Sequence, residues 1–251
     1  MKQYHIGLSE EHAAKYAIIP GDPGRVEKIA AFLDNAEQVG YNREYNSYLG
    51  YLNGEKVLVV STGIGGPSCA ICVEELAKIG VDTFIRVGTC GGMQPNVKPG
   101  DVVISTGAIR QDGTSREYLP IEFPAVADFH VTSALYNAAQ NLGYDNHIGV
   151  VQAKDSFYGQ HSPESMPIAP ELLAKWEAWK QGGCLASEME GAALFIVSAA
   201  RGLRSGAVFH CVWNQEVSQS AMPKDRKEDT SCAIKTAIEA LRILIKNDKE
   251  K

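Results

Sequence analysis

An arginine closing an apolar, β-branched run holds the first chemistry in this chain: Phe84-Ile85-Arg86-Val87-Gly88-Thr89-Cys90-Gly91-Gly92. An unpaired charge taken out of water is costly, so a buried arginine needs an anionic partner. One candidate partner is a bound anion, held by the guanidinium, the Thr89 hydroxyl and a nest of loop N–H groups. Guanidinium suits phosphate because it donates two parallel hydrogen bonds. The other candidate is an internal carboxylate.

Two further loops repeat the design. In Ile18-Ile19-Pro20-Gly21-Asp22-Pro23-Gly24-Arg25 a strand ends, and Gly21 is expected to make a turn closed to residues with side chains. Asp22-Pro23 then fits the cap and first position of a helix. Amides at a helix start attract anions, and Arg25 sits in that first turn. Ser61-Thr62-Gly63-Ile64-Gly65-Gly66-Pro67-Ser68 has three glycines, but they miss the spacing of a dinucleotide fingerprint. Glycine-bearing strand ends along one sheet edge, two of them with arginines, predict a phosphate pocket.

Ser187-Glu188-Met189-Glu190-Gly191 places two carboxylates at a helix start. Residues two apart point in different directions. One can anchor structure while the other accepts hydrogen bonds from the vicinal hydroxyls of a sugar; an ordinary capping pair is the alternative.

The elements that position these loops alternate. Strands are expected at Tyr16–Pro20, Val57–Thr62, Val81–Val87, Val102–Ile109, His147–Ala153 and Gly206–Trp213. Helices are expected at Val26–Leu33, Ser68–Ile79, Val131–Leu142, Glu171–Lys180, Glu188–Ala200 and Lys227–Lys246. This order predicts a layered α/β fold, and with no repeat or linker the whole of 1–251 reads as one domain. Asp155–Ala169 and Gln215–Arg226 lack a period and are read as binding loops or lids; Asn247–Lys251 reads as a disordered tail.

A net charge of −6 argues against a general nucleic-acid binder, while leaving room for one local basic pocket. No apolar run reaches the roughly 20 residues that span a bilayer, and no secretory leader is evident, so the expected location is the cytoplasm. The six cysteines lack the spacing of a disulfide framework. Cys69-Ala70-Ile71-Cys72 is read as helix packing, since no second pair completes a zinc site. No spacing favours a Ser/His/Asp or Cys/His nucleophile.

Taken together and in order, these motifs resemble the nucleoside phosphorylase-I family, in its uridine-cleaving branch. Those that carry the resemblance are Ile19-Pro20-Gly21-Asp22-Pro23 with Arg25, Arg43-Glu44, Ser61 to Ser68, Arg86-Val87-Gly88-Thr89, Glu122 to Asp128, Phe157-Tyr158-Gly159-Gln160 and Glu188-Met189-Glu190. They cover nearly the whole chain. The resemblance implies a three-layer α/β/α fold around a central mixed sheet. It implies phosphorolysis of uridine to uracil and ribose 1-phosphate, with inorganic phosphate as co-substrate and no organic cofactor. By that resemblance Gly21, Arg25, Arg86 and Thr89 bind phosphate, with Arg43 lent by a neighbouring subunit. Met189 and Glu190 hold the ribose, with His5 reaching over from the neighbour. Phe157 and Gln160 form the base subsite. Glu44, Ile64 and Ser68 match positions that hold a monovalent cation such as K+ between subunits. The shared site implies a dimer as the minimal unit, commonly within a hexamer.

Three departures from the family pattern stand out. Gln160 is followed by His161 where several members carry a uracil-reading arginine, so His161 is assigned the donor role at the uracil 4-oxygen. Asn214-Gln215 stands in place of Asn-Arg, and Cys90 in place of a second threonine. The purine branch of the family uses a Ser-Asp pair late in the chain, which Trp213-Asn214-Gln215 lacks. Water-using nucleosidases lack the arginine set. A non-catalytic nucleoside-binding protein could dispense with Arg25, Arg43 and Arg86.

Overall fold

A computed structural model describes residues 1–217 and 229–250. Its strands are β1 (Tyr16–Pro20), β2 (Asp34–Asn42), β3 (Tyr45–Leu52), β4 (Glu55–Val60), β5 (Thr83–Gly92), β6 (Val102–Gln111), β7 (Ala125–Val126), β8 (Asn146–Lys154), β9 (Ala186–Glu188) and β10 (Arg204–Asn214). Its helices are α1 (Pro23–Ala30), α2 (Gly66–Lys78), α3 (Thr114–Tyr118), α4 (Phe129–Asn141), α5 (Phe157–His161), α6 (Ala169–Gln181), α7 (Gly191–Arg201) and α8 (Ser231–Lys249).

The strands form one mixed sheet. Parallel pairings join β1 to β4 and β5, β5 to β10, β6 to β8 and β8 to β9. Antiparallel pairings join β10 to β6 and β5 to β9, so β10, β6, β8, β9 and β5 close into a five-stranded ring. The strands β1, β4, β3 and β2 extend from it as an open wing. Apolar faces of α2 and α7 pack on one side of the sheet, and those of α1, α4 and α8 on the other. The layered α/β/α arrangement expected from the sequence is therefore present; the ring closure was not anticipated.

Several local expectations are corrected. The glycines after Arg86 do not form a loop: β5 runs on to Gly92, paired with β10 throughout. Gly88 and Gly92 are there because a Cβ would lie 2.6 Å from the Phe209 ring and 2.6 Å from the Asn214 side chain. Gly21 is not in the left-handed region; it is demanded by contact, since a Cβ would sit 3.2 Å from the Gly63 carbonyl. Glu188 belongs to β9, and the helix after it starts only at Gly191. Asp155–Ala169 contains α5 and a short 3-10 turn. Most of Gln215–Arg226, and the start of the helix expected from Lys227, lie outside the described residues.

The supposed tail is helical through Lys249, because Asp248 accepts from Arg204 (2.6 Å) and the Tyr16 hydroxyl (2.9 Å) and lies 3.2 Å from Lys15. The hairpin of β2 and β3 was missed because β2 is a largely exposed edge strand, with no buried face to impose alternation. Cys69 and Cys72 are buried on α2, as expected, and burial pushes the Cys69 thiol up to about 12.

Close packing of α4 on β10 leaves no room at Gly206, where a Cβ would fall 2.5 Å from Val131 Cγ1. Gly206→Ala is expected to cost about 1–3 kcal/mol of stability by overpacking. Urea unfolding reads this directly, and a variant as stable as the parent would show that α4 can shift freely.

Candidate active site

The ends of β1, β4 and β5 bring the expected loops to one cavity of about 960 Å³. Gly21, Arg25, Glu44, Ile64, Arg86, Thr89, Phe157, His161, Met189 and Glu190 all line it. Asp22 caps α1 by accepting from Gly24 N (2.8 Å), which points the first turn, and Arg25 with it, at the cavity. Burial lowers the pKa of Arg25, with Asp22 opposing.

Arg86 is 4% exposed, and of the two candidate partners posed by the sequence the structure shows the internal carboxylate. Its Nη2 donates to Glu190 in a very short contact, and its Nη1 donates to the Thr62 hydroxyl at 3.3 Å. Nε is buried without a hydrogen-bond partner among the described residues, and lies 3.8 Å from Glu188. An internal carboxylate therefore holds the guanidinium, yet donor capacity remains beside Thr89 and Arg25.

The two glutamates divide their work. Glu188 accepts from Glu190 N (2.9 Å) and Gly191 N (2.8 Å), fixing the turn into α7. Glu190 faces the cavity, accepting from Arg86 and from Gly65 N (2.6 Å). Gly65 adopts φ +93°, a left-handed conformation that favours glycine. Burial, with Glu190 close by, raises the Glu188 carboxyl to about 7, against the pull of Arg86.

Three rings flank the other end of the cavity. Phe157 and His161 lie 4.2 Å apart between centroids on α5, and His161 lies 5.7 Å from Trp213. Gln160 is not on the main cavity. It lines an adjoining pocket of about 240 Å³ under α6, and Lys154 lines both spaces.

His5 and Arg43 also stand away from this chain's cavity. The His5 ring pairs with Glu75 at 2.6 Å, and the Asn42 amide donates to its carbonyl. Arg43, at φ +53° in the tight β2–β3 turn, lies over the adjacent Tyr4 ring at 6.0 Å. Ser68 approaches Glu44 at 2.6 Å, with the exposed Ile64 on the same rim. Hydrogen bonding from Ser68 lowers the Glu44 pKa.

Residues 15–246 match the family described as the phosphorylase superfamily. The chain belongs to that superfamily. It is 53% identical to the uridine phosphorylase of Treponema pallidum (strain Nichols) over 246 residues, 98% of this chain and 95% of that protein. It is 41% identical to the uridine phosphorylase of Escherichia coli (strain K12), covering 96% and 98%. The guanosine phosphorylase of Halorubrum lacusprofundi is 38% identical over 250 residues, covering 97% and 99%. Proteins named for a pyrimidine and for a purine nucleoside are thus both similar to this chain over nearly its whole length.

Sequence reasoning missed Lys154, Ser187 and Trp213, all of which line the cavity. Lys154 carried a legible signal, a lysine just past an apolar strand where α/β folds place ligands. Its ammonium donates to Ser187 Oγ at 2.6 Å, and burial lowers its pKa to about 8.

A depressed lysine has a definite sign in linkage. Between about pH 8 and 10.5 the folded chain binds fewer protons than the unfolded one, so this residue makes stability rise with pH there. Lys154→Met should flatten that rise by on the order of 1–3 kcal/mol across the window. Urea midpoints at pH 8 and pH 10 for both proteins test it, and parallel slopes would refute the burial of the charge.

Proposed function

We propose that this chain catalyses the reversible phosphorolysis of uridine to uracil and ribose 1-phosphate. The observation that carries the reading is the convergence of Arg86, Arg25, Thr89 and Glu190 on one cavity, with flanking rings at its far end. Gly21, Arg25, Arg86 and Thr89 bind phosphate, the close fit at Gly21 letting backbone approach the anion. Glu190 and Met189 hold the ribose, with Glu190 accepting from its hydroxyls while Arg86 holds the carboxylate in place.

Cleavage of the C1′–N1 bond builds positive charge on the ribose and sends negative charge to the uracil oxygens. Phosphate, pinned beside C1′ by the arginines, stabilises the first and removes much of the entropic cost of a bimolecular attack. N–H groups of His161 and Lys154 aimed at the base oxygens stabilise the second. Phe157 packs against the substrate, and Gln160 reads the base edge through the wall it shares with Ser187. No covalent enzyme intermediate or organic cofactor is needed.

Within this reading a neighbouring copy completes the site. His5 and Arg43 sit together on one patch, away from their own cavity, where they can serve the neighbour's ribose and phosphate. Tyr4, Ile64 and Tyr158 are 76%, 78% and 67% exposed, apolar surface suited to a subunit contact. The dimer is the minimal unit, with a hexamer as the full assembly. Glu44, Ser68 and the Ile64 carbonyl offer oxygen donors, the set a hard cation takes, and hold K+ between subunits. Six free thiols suit a reducing compartment, and the enzyme is placed in the cytoplasm. Among the described residues no helix is long and apolar enough to cross a membrane.

Uridine cleavage should depend on added phosphate, with inosine and guanosine cleaved far more slowly. Arg86→Ala should lower kcat/KM by roughly a thousandfold, the scale of lost charge-assisted contacts to the reacting groups. Phosphate-saturation kinetics on uridine decide this, and near-parental turnover would remove Arg86 from the reaction.

Shared sites make a second test. Arg43→Ala and Glu190→Ala chains, each inactive alone, should regain activity when mixed, because a hybrid dimer holds one intact site. No recovery after confirmed subunit exchange counts against a shared site.

A further inference from the structure

Gln160 is only 9% exposed, and its amide is one link in a buried polar chain. Lys154 Nζ donates to Ser187 Oγ at 2.6 Å, Ser187 Oγ donates to Gln160 Oε1 at 2.6 Å, and Gln160 Nε2 faces Gln215 Oε1 at 3.4 Å. An ammonium has donors only, and a hydroxyl has a single donor hydrogen. Lys154 therefore obliges Ser187 to accept on one side and to spend its hydrogen on the other. The group facing Ser187 must be an acceptor, which fixes the amide with its oxygen toward Ser187 in the cavity wall and its nitrogen toward Gln215. Ser187 itself is 3% exposed, so no water competes easily for that hydrogen.

We propose that Ser187 is a positioning residue that sets the orientation of the Gln160 amide and thereby selects uracil over cytosine. The inference rests on Gln160 as a reader of the base edge. The Gln160 oxygen keeps a lone pair for a ring N–H, and Lys154 keeps N–H groups for an adjacent carbonyl. This acceptor–donor pair matches N3–H and C=O of uracil. Cytosine offers a lone pair at N3, so two acceptors would face each other, an arrangement that a site with fixed polarity rejects. Without the hydroxyl, the amide can turn over and present Nε2 to cytosine instead. Ser187 lies within β9, while Met189 and Glu190 follow it in the turn into α7, which separates base selection from ribose binding.

The test compares cytidine as an inhibitor of uridine cleavage with the KM of uridine. In Ser187→Ala the ratio of the cytidine inhibition constant to the uridine KM should fall at least tenfold, with kcat changed much less than KM. Ser187→Thr, which keeps the hydroxyl, should restore the ratio. Lys154→Met, which removes the obligatory donor, should lower it independently. An unchanged ratio in folded Ser187→Ala, as judged by its thermal unfolding, overturns the proposal. Gln160→Ala separates the two levels of the argument. If it leaves the ratio at the parental value, Gln160 is not a base reader and the underlying reading fails. If it lowers the ratio while Ser187→Ala does not, the positioning role alone fails.

Discussion

A buried guanidinium within β5, paired with the carboxylates of the turn into α7, is the constraint on which the site depends. Arg86 is nearly completely buried, with Glu190 accepting from its Nη2 and Glu188 3.8 Å from its Nε. Removing either class of partner would leave an uncompensated charge in the interior, which is far more costly than never having built the pair. The arrangement ties three chain segments together, since Glu190 also accepts from Gly65 N at the start of α2. Packing, turn geometry and charge thus all specify where β5, α2 and the turn into α7 meet. That meeting point is the cavity.

Closure of β10, β6, β8, β9 and β5 into a ring makes this meeting rigid. The very short strand β9 ends in Glu188, so the carboxylate that braces Arg86 is itself anchored in the ring. Phe209 and Asn214 of β10 fill the space over Gly88 and Gly92, which keeps the strand after Arg86 extended against its neighbour. Thr89 is consequently carried by regular sheet. Sites on regular elements hold side chains more tightly than sites on loops.

Much of this was legible in the chain. The Asp22-Pro23 helix start, the strand that carries Arg86 and the anchoring of a turn by one of the paired glutamates all follow from local chemistry, because each is decided within a few residues. What could not be read depends on partners distant in sequence. The glycines at 88 and 92 look like a loop until Phe209 and Asn214 are known to press on them. Gly21 looks like a turn residue until Gly63 is placed against it. The chain from Lys154 through Ser187 to Gln160 joins three segments, so no window of sequence contains it. The edge strand β2 escaped for another reason: an exposed strand has no buried face to write a period into its residues.

The charge around the cavity extends the argument beyond one subunit. Arg25, Arg86 and Lys154 line it, but so do Asp22, Glu44, Glu188 and Glu190. Cations therefore do not outnumber carboxylates, and Arg86 already leans on both glutamates. A phosphate dianion entering such a space gains less than the arginines alone suggest, since Arg86 must be shared with internal carboxylates. Two features soften that cost. The raised pKa of Glu188, caused by burial and by Glu190 close by, lessens the negative charge it carries near neutral pH. Arg43, standing on an exposed turn away from its own cavity, is a cation with no carboxylate partner to give up among the salt bridges of the described residues. Lent across a subunit boundary, as the proposed shared site has it, Arg43 would supply the excess positive charge that a single chain lacks, and assembly would then be an electrostatic requirement of the site and not merely a way to cover apolar surface.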